Sequence, residues 1–167
     1  MSVLLRPATE ADPIGVGALH RRSRVDAYSG FLPAEELAAR SAEAFGEWWS
    51  ERFRWEQETH RMTIAEVDGR LAGFSYIGLS DTPGAAELYA IHVEPPLVGT
   101  GVGRALMIRA LAELPGFGGD HAVLWVLTDN RIARTFYENG GWKPDGGTRE
   151  EPVGGIPAPQ LRYSHPF

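Results

Sequence analysis

The chain has 167 residues, 43% of them hydrophobic, and a formal net charge of -6 at pH 7. That length can support one substantial core, so we expect a single domain over residues 1–167. The chain contains no cysteine, which excludes disulfides, thiolate metal sites and cysteine nucleophiles. The acidic balance disfavours nucleic-acid binding, and the first residues lack the long apolar run of a signal peptide or membrane helix. These features predict a cytoplasmic protein without nucleic-acid or membrane partners.

The first predicted elements are one strand and two helices. Residues 3–9 have the character of a short strand, and residues 9–28 form a loosely amphipathic helical pattern. In residues 33–58, apolar side chains recur at helical spacing among charged ones. This second pattern predicts a helix with one interruption near Gly46.

Three strands are predicted next. The dipeptide Asp68-Gly69 is a strong hairpin signal, and it is flanked by strand-like residues 60–67 and 70–80. These two segments are therefore expected to pair as antiparallel strands. A third strand is predicted over residues 84–95.

The second half of the chain adds helices and strands in alternation. Residues 103–114 form an amphipathic helical pattern, and residues 121–130 include a nearly continuous apolar run that fits a buried strand. Asn130 can then cap a helix over residues 131–140. Two last strands, joined by a segment rich in glycine and proline, are predicted at 141–147 and 157–166. The order describes a mixed α/β domain with a largely antiparallel sheet and one parallel crossover, between the third and fourth long strands.

Three glycines stand at the start of the helix after the third long strand. Gly99, Gly101 and Gly103 leave room for a ligand beside the first helical amides, which lack internal partners and lie at the positive end of the helix dipole. A Walker-type loop is excluded because no Gly-Lys-Ser/Thr follows. A dinucleotide fingerprint is excluded because Arg104 stands where its last glycine belongs. A plain strand-to-helix turn is the alternative to a phosphate site.

The remaining pattern resembles the GNAT superfamily of N-acetyltransferases. Residues 98–103 are similar to its acetyl-CoA loop, Arg/Gln-x-x-Gly-x-Gly/Ala, although Val98 stands at the Arg/Gln position. Residues 86–95 look like its fourth strand, and residues 130–142 are similar to its Asn-x-x-Ala-x-x-Phe-Tyr-Glu motif. The resemblance implies about seven strands flanked by four helices, with two strands splayed at the acetyl-CoA slot.

The resemblance also implies how acetyl-CoA would be bound. The pantetheine arm would pair with the backbone of the fourth strand at Ile91, His92 and Val93. Pro95 and Pro96 are expected to help open the slot, since proline disfavours sheet pairing. Asn130 would contact the coenzyme arm. The pyrophosphate would lie on the loop, with the Thr100 hydroxyl as a further contact; the loop residues are Val98, Gly99, Thr100, Gly101, Val102, Gly103 and Arg104.

Two side chains are candidates for proton transfer. Glu87 lies eleven positions before Val98, the spacing at which one branch of the family carries a glutamate general base. The alternative is a solvated surface charge. Tyr137 occupies the family position whose phenol protonates the coenzyme sulfur, with a core aromatic as the alternative. His92 should lie on the opposite strand face from Glu87 unless a bulge intervenes.

These interpretations predict a metal-free enzyme that moves the acetyl group of acetyl-CoA to a primary amine by direct attack. The acceptor, a small molecule or a peptide, is not specified by any motif. The alternative is an acetyl-CoA sensor with the same fold and no catalysis. The terminal strands offer edges at which two copies of the chain could form a homodimer.

Overall fold

A twisted seven-stranded sheet runs through the computed structural model, which describes residues 1–167. The strands lie in the order β1-β2-β3-β4-β5-β7-β6, and only the β4–β5 pair is parallel. This confirms the predicted mixed α/β architecture and its single parallel crossover. The elements in chain order are β1 (Val3–Pro7), α1 (Pro13–Tyr28), α2 (Ala34–Ala38), α3 (Ala42–Trp55), β2 (His60–Val67), β3 (Arg70–Leu79), β4 (Ala85–Val93), α4 (Val102–Glu113), β5 (His121–Leu127), α5 (Arg131–Asn139), β6 (Lys143–Val153) and β7 (Ile156–Pro166).

The helical segment 33–58 breaks at a different place from the one predicted. Helices α2 and α3 are separated just before Ser41, whose hydroxyl caps α3 by accepting from the Ala44 amide at 3.1 Å. Gly46 instead lies inside α3, where α3 crosses α1. A Cβ on Gly17 of α1 would lie 2.3 Å from the Gly46 nitrogen, so the two helices touch through glycines. The chain has five α-helices when the five-residue α2 is counted.

The β2–β3 hairpin is confirmed. Asp68 and Gly69 have φ values of 52° and 73°, which two-residue hairpin turns with the twist of the flanking strands require. The last predicted connection is different: β6 continues through the Gly/Pro-rich segment as far as Val153 and turns at Gly154 and Gly155. Pairing with β7, irregular between Pro144 and Thr148, supplies hydrogen bonds that sequence composition did not indicate.

Helices cover both faces of the sheet. Helices α1 and α3 bury one apolar cluster, and α4 packs on the other face near Trp142, whose indole N–H lies 3.3 Å from the Met107 sulfur. Fully buried aromatic and aliphatic side chains of the core include Leu19, Trp49, Phe74, Leu106 and Tyr163. None of the helices combines the length and hydropathy that a membrane crossing requires.

Strands β4 and β5 pair for only three residues and then separate. The paired positions of β4 are Ala85, Ala86 and Glu87, and no further pairing connects the two strands. Just after this point, the β3–β4 register shifts by one residue, which leaves Tyr89 as a bulge. The separation begins well before Pro95, so the prediction that the prolines open the slot is wrong; the divergence coincides with the bulge, which bends its strand.

Candidate active site

The glycine loop presents a row of free backbone donors at the start of α4. The Pro95–Leu97 turn leads into the loop, and the first amide with a backbone partner inside the helix is that of Ala105, which donates to the Gly101 carbonyl at 3.0 Å. The preceding donors have no acceptor within the chain; they are the amides of Gly99, Gly101, Val102, Gly103 and Arg104. Such a row of N–H groups at a helix N-terminus is a concave anion site.

The three glycines of the loop have different structural roles. Gly99 and Gly101 have φ values of 82° and 104°, and a Cβ on either would meet no atom within 4 Å. The space beside them is therefore open. A Cβ on Gly103 would lie 3.4 Å from the Phe136 ring, an ordinary van der Waals distance, so Gly103 lies where α4 packs against α5.

Thr100 and Val98 contribute fewer free donors to the anion site than the other loop residues. Both the amide and the hydroxyl of Thr100 donate to the Leu97 carbonyl, at 3.2 and 2.5 Å. The hydroxyl proton is therefore already used within the turn. The Val98 side chain is 57% exposed and has no polar atom to offer an anion. The site consequently depends on backbone donors.

The side of β4 that faces the gap toward β5 is lined by unpaired backbone groups. The Glu94 amide donates to the Ala72 carbonyl of β3 at 2.8 Å, and hydrogen-bonded pairs alternate along an antiparallel ladder. His92 therefore directs its backbone groups toward β3, whereas Ile91 and Val93 direct theirs into the gap. Of the three expected pantetheine contacts, Ile91 and Val93 have the required orientation and His92 does not.

Glu87 lies at the point where β4 and β5 separate. Its side chain is 8% exposed and accepts a hydrogen bond from the Ser80 hydroxyl at 2.7 Å. Burial raises the pKa of the Glu87 carboxyl, while Ser80 and the Arg149 guanidinium lower it in part. A partly desolvated carboxylate of this kind is a better proton acceptor than a surface glutamate. The solvated-charge alternative does not fit this burial.

The bulge at Tyr89 places His92 on the same strand face as Glu87. The His92 ring packs 4.4 Å from His20 of α1, and its Nδ1 lies 2.9 Å from the Ser23 hydroxyl. Burial lowers the pKa of His92 to about 4, so the ring is neutral at pH 7 and a weak base. The Tyr89 phenol donates to the Leu79 carbonyl, and burial raises its pKa to about 12.

Helix α5 places Asn130 and Tyr137 on the other side of the gap. The Asn130 side chain accepts from the Ala133 amide at 3.2 Å, which confirms the predicted cap. Tyr137 packs 5.6 Å from Phe136, and its phenol oxygen has no hydrogen-bond partner in the chain. Burial and the nearby Tyr28 phenol raise the pKa of Tyr137, which keeps its proton in place at neutral pH.

Comparison with known proteins agrees with this geometry. The sequence model of the acetyltransferase (GNAT) family matches residues 25–142, which include the separated strands, the glycine loop and α5. The chain belongs to the GNAT family. Its fold follows that of the family, and the predicted superfamily is confirmed.

Curated relatives share part of their length with this GNAT chain. It is 31% identical over 115 residues to a mycothiol acetyltransferase of Beutenbergia cavernae, covering 69% of this chain and 35% of that protein. A mycothiol acetyltransferase of Streptomyces avermitilis is 37% identical over 79 residues, covering 47% and 26%. The GNAT chain thus spans about a third or less of the length of these relatives.

Solved structures resemble the whole chain in fold. A PaiA N-acetyltransferase from Thermoplasma acidophilum, solved in complex with coenzyme A, superposes with a TM-score of 0.79 at 19% identity, and each chain is covered completely. A ribosomal-protein-alanine N-acetyltransferase from Brucella melitensis gives a TM-score of 0.72 at 21% identity, covering 98% of this chain and 99% of that one.

Several polar residues of this GNAT site were not found from the sequence. His20, Arg24 and Tyr28 recur every four residues along α1, and this stripe faces the separated strands. The four-residue spacing is evident in the sequence, but only the packing of α1 on β4 shows that these side chains face the separated strands. Arg149 of β6 approaches Glu87 from a segment that was predicted to be a linker. No local signal links these two positions.

Proposed function

We propose that this chain is an acetyl-CoA-dependent N-acetyltransferase that moves the acetyl group to a primary amine by direct attack. The observation that carries this proposal is the row of unpaired amides at the N-terminus of α4, beside a gap between two strands of one sheet. An anion site next to an open strand edge suits a ligand that carries both a pyrophosphate group and a chain with amide groups. The match to the GNAT family supports the same conclusion.

The coenzyme would be held mainly by backbone groups. The amides of Gly99, Gly101 and Gly103, with those of Val102 and Arg104, bind the pyrophosphate. The open space beside the first two glycines accommodates its oxygens.

Backbone contacts also hold the pantetheine arm in this proposal. Ile91 and Val93 pair with its amides across the gap. Asn130 caps α5 and contacts the arm from the opposite side. Thr100 and Val98 shape the loop without supplying a side-chain donor.

Two side chains perform the proton transfers. Acetyl-CoA supplies a thioester, whose carbonyl carbon forms a bond to the amine nitrogen as the carbon–sulfur bond breaks. Glu87 accepts the proton that the acceptor ammonium must lose, through water. Tyr137 donates its proton to the departing sulfur, and a phenol with a raised pKa regains that proton readily at neutral pH.

The first experiment measures coenzyme binding and thiol release separately. Calorimetry with acetyl-CoA tests the loop, and release of free thiol is followed with an amine panel: protein N-terminal peptides, lysine, polyamines, aminoglycosides and amino acids. We expect micromolar binding and turnover of at least one amine. Binding without turnover would favour a catalytically silent sensor, and no binding at all would leave only a structural turn. Longer acyl-CoA donors in the same assay test the acyl-chain preference.

A further inference from the structure

Two arginines without carboxylate partners share a pocket on the α1 face of the sheet. The pocket has a volume of about 270 Å³ and lies between α1, α2 and the end of the β6–β7 hairpin. Arg24 is half-buried in it, and Arg40 lies at its exposed edge. The other lining residues are Glu36, Leu37, Ala39, Pro152 and Gly154.

The hydrogen-bond donors of both guanidinium groups are unused. The Nε atom of Arg24 is buried and has no partner, and neither arginine makes a salt bridge or a side-chain hydrogen bond. Glu36, the only acid in the pocket, accepts from the Gly155 amide at 2.9 Å. Seven of the other thirteen arginines have a carboxylate oxygen within 4.0 Å; they are Arg6, Arg22, Arg52, Arg61, Arg109, Arg149 and Arg162.

The surroundings of Arg24 add positive or neutral groups rather than compensating charge. Burial lowers the pKa of the Arg24 guanidinium, the nearby Tyr28 phenol raises it in part, and Arg40 lowers it again. His20 and His92 are close to Arg24 and are uncharged at pH 7, because burial lowers the pKa of each ring. An unpaired buried charge destabilises a fold, so a ligand with a negative charge is the partner that this pocket lacks.

Both arginines of the pocket pack against the Phe45 ring. The guanidinium carbons of Arg40 and Arg24 lie 4.5 and 5.6 Å from the centroid of the Phe45 ring. Such cation–π contacts orient a guanidinium over one face. They leave its N–H donors free to bind a carboxylate in a bidentate manner.

The pocket adjoins the reacting end of the coenzyme slot. Arg24 and Tyr28 are one turn apart on α1, and the Tyr28 phenol is close enough to Tyr137 to raise its pKa. Leu37, which lines the pocket, packs in one apolar cluster with Leu127 at the end of β5. An anion held by the two arginines would therefore belong to a molecule that lies on the α1 face of the sheet, on the side of Tyr28 and Tyr137.

We propose that Arg24 and Arg40 bind the carboxylate of the acceptor, so that the substrate is an amino acid or a closely related amine with a carboxylate. This inference rests on the proposed acetyltransferase function. It narrows the acceptor from any primary amine to amines that carry a carboxylate. We expect Arg24 to contribute more of the binding free energy than Arg40, because its guanidinium is less exposed to water.

The kinetic test compares free amino acids with their amides, which keep the amine and the side chain but lose the carboxylate. Thiol release at fixed acetyl-CoA is measured for the native chain, Arg24→Gln, Arg40→Gln and the matched control Arg70→Gln, an exposed arginine at the start of β3. We expect the KM for the best amino acid to rise about tenfold to 100-fold in Arg24→Gln and less in Arg40→Gln. The Kd for acetyl-CoA and the kinetics of Arg70→Gln should stay within about twofold of native values.

A thermal unfolding series separates a binding role from a structural one. Arg24→Met replaces the unpaired charge with an apolar side chain of similar length, so the ligand-free Tm should rise by about 2 to 4 °C while preference for the amino acid over its amide is lost. A lower Tm would show that Arg24 supports the fold, and it would overturn the proposal. Equal use of amino acids and amides by the native chain would overturn it as well.

Thermal unfolding with added amino acids tests carboxylate binding even if no amine is acetylated. Free amino acids at millimolar concentration should raise the Tm of the native chain, and their amides should not. That shift should disappear in Arg24→Gln. If acetyl-CoA binds and no amino acid raises the Tm, this inference fails while the proposed function stands; if the shift is present without turnover, the proposed function fails instead.

Discussion

At the residue scale, the environment of Glu87 matches the needs of a general base. Its burial at the end of the paired part of β4 raises its pKa, and the Ser80 hydroxyl holds one carboxylate oxygen in place. A desolvated glutamate with a raised pKa attracts a proton more strongly than a solvated one, and the Ser80 hydroxyl keeps it oriented.

Replacing Glu87 with Gln should separate catalysis from stability. We expect kcat to fall about 100-fold, because the amide cannot accept a proton, while acetyl-CoA affinity is retained. The raised pKa means that the carboxyl contributes stability below its ordinary value of 4.5 and that this contribution is lost as pH rises through the folded value. Glu87→Gln should therefore unfold at a higher temperature than the native chain at pH 7. Stopped assays and calorimetry measure the two effects; full activity in Glu87→Gln would assign the base elsewhere.

Replacing Ser80 with Ala should shift the pH profile of the native reaction. Ser80 donates to the Glu87 carboxylate at 2.7 Å and lowers its pKa, so its loss should raise that pKa further. The acid limb of kcat/KM, which lies above pH 4.5 in the native chain because the base must be deprotonated, should move to higher pH. An unmoved limb would show that another group controls it.

Tyr137 allows a conservative test of the proton donor. Its phenol oxygen makes no hydrogen bond within the chain, so Tyr137→Phe removes one atom without disturbing packing. We expect kcat to fall about tenfold to 100-fold with unchanged Tm and acetyl-CoA affinity. Tyr163→Phe is the comparison: that phenol donates to Glu138 at 3.3 Å and accepts from Arg134 at 3.0 Å, and its ring centroid lies 6.4 Å from that of Tyr137. A drop in Tm alone for Tyr137→Phe would favour the core-aromatic alternative.

Val98 is the position where this chain departs from the loop pattern it resembles. Its side chain is 57% exposed and lies next to the free amides of the loop. Val98→Arg should tighten coenzyme A binding about threefold to tenfold at low salt, with the gain shrinking as salt rises. Titration calorimetry at two ionic strengths measures this; unchanged affinity at low salt would show that the side chain points away from the phosphates.

At the element scale, two helix caps offer a matched comparison. Asn130 caps α5 at the gap, and Ser41 caps α3 on the opposite side of the fold, each by accepting one backbone amide. Asn130→Ala and Ser41→Ala should each lower the free energy of unfolding by about 1 kcal/mol. Only Asn130→Ala should also weaken acetyl-CoA binding. If both variants bind the coenzyme equally well, Asn130 is a cap and nothing more.

The bulge in β4 has consequences along the whole element. One extra residue at Tyr89 reverses the side-chain parity, so Glu87 and His92 share a face that simple alternation assigns to opposite faces. The bulge lies two residues beyond Glu87, the last residue of β4 that pairs with β5. Strand periodicity predicted the strand itself but could not place the bulge, because a bulge is stabilised by pairing with β3.

At the scale of the whole molecule, one sheet connects the first strand to the last. Strand β1 pairs with β2 at one edge and β6 pairs with β7 at the other, so no segment forms a separate sheet. We therefore expect residues 1–167 to unfold as a single domain in one calorimetric transition. Acetyl-CoA at a hundredfold excess over Kd should stabilise that transition by about 2.7 kcal/mol. Two separable transitions would contradict a single domain.

Local sequence signals predicted several elements of this fold correctly. The Asp68-Gly69 hairpin, the Asn130 cap and the glycine loop were readable because each depends on the conformational preferences of a few adjacent residues. Helix α3 and strand β6 show the limit of such reasoning. Gly46 lies inside a helix because Gly17 packs against it, and the Gly/Pro-rich segment before Val153 is a strand because β7 supplies its hydrogen bonds.

The sequence by itself determined the element order, and it predicted the glycine loop as a phosphate site and Glu87 and Tyr137 as proton-transfer candidates. Only the tertiary structure decided which groups meet. It buried Glu87 where two strands separate, turned the His92 backbone away from the gap and left Arg24 without a counter-charge. The physical reason is that burial, register and electrostatic compensation depend on contacts between residues far apart in the chain, and these contacts are absent from any local pattern.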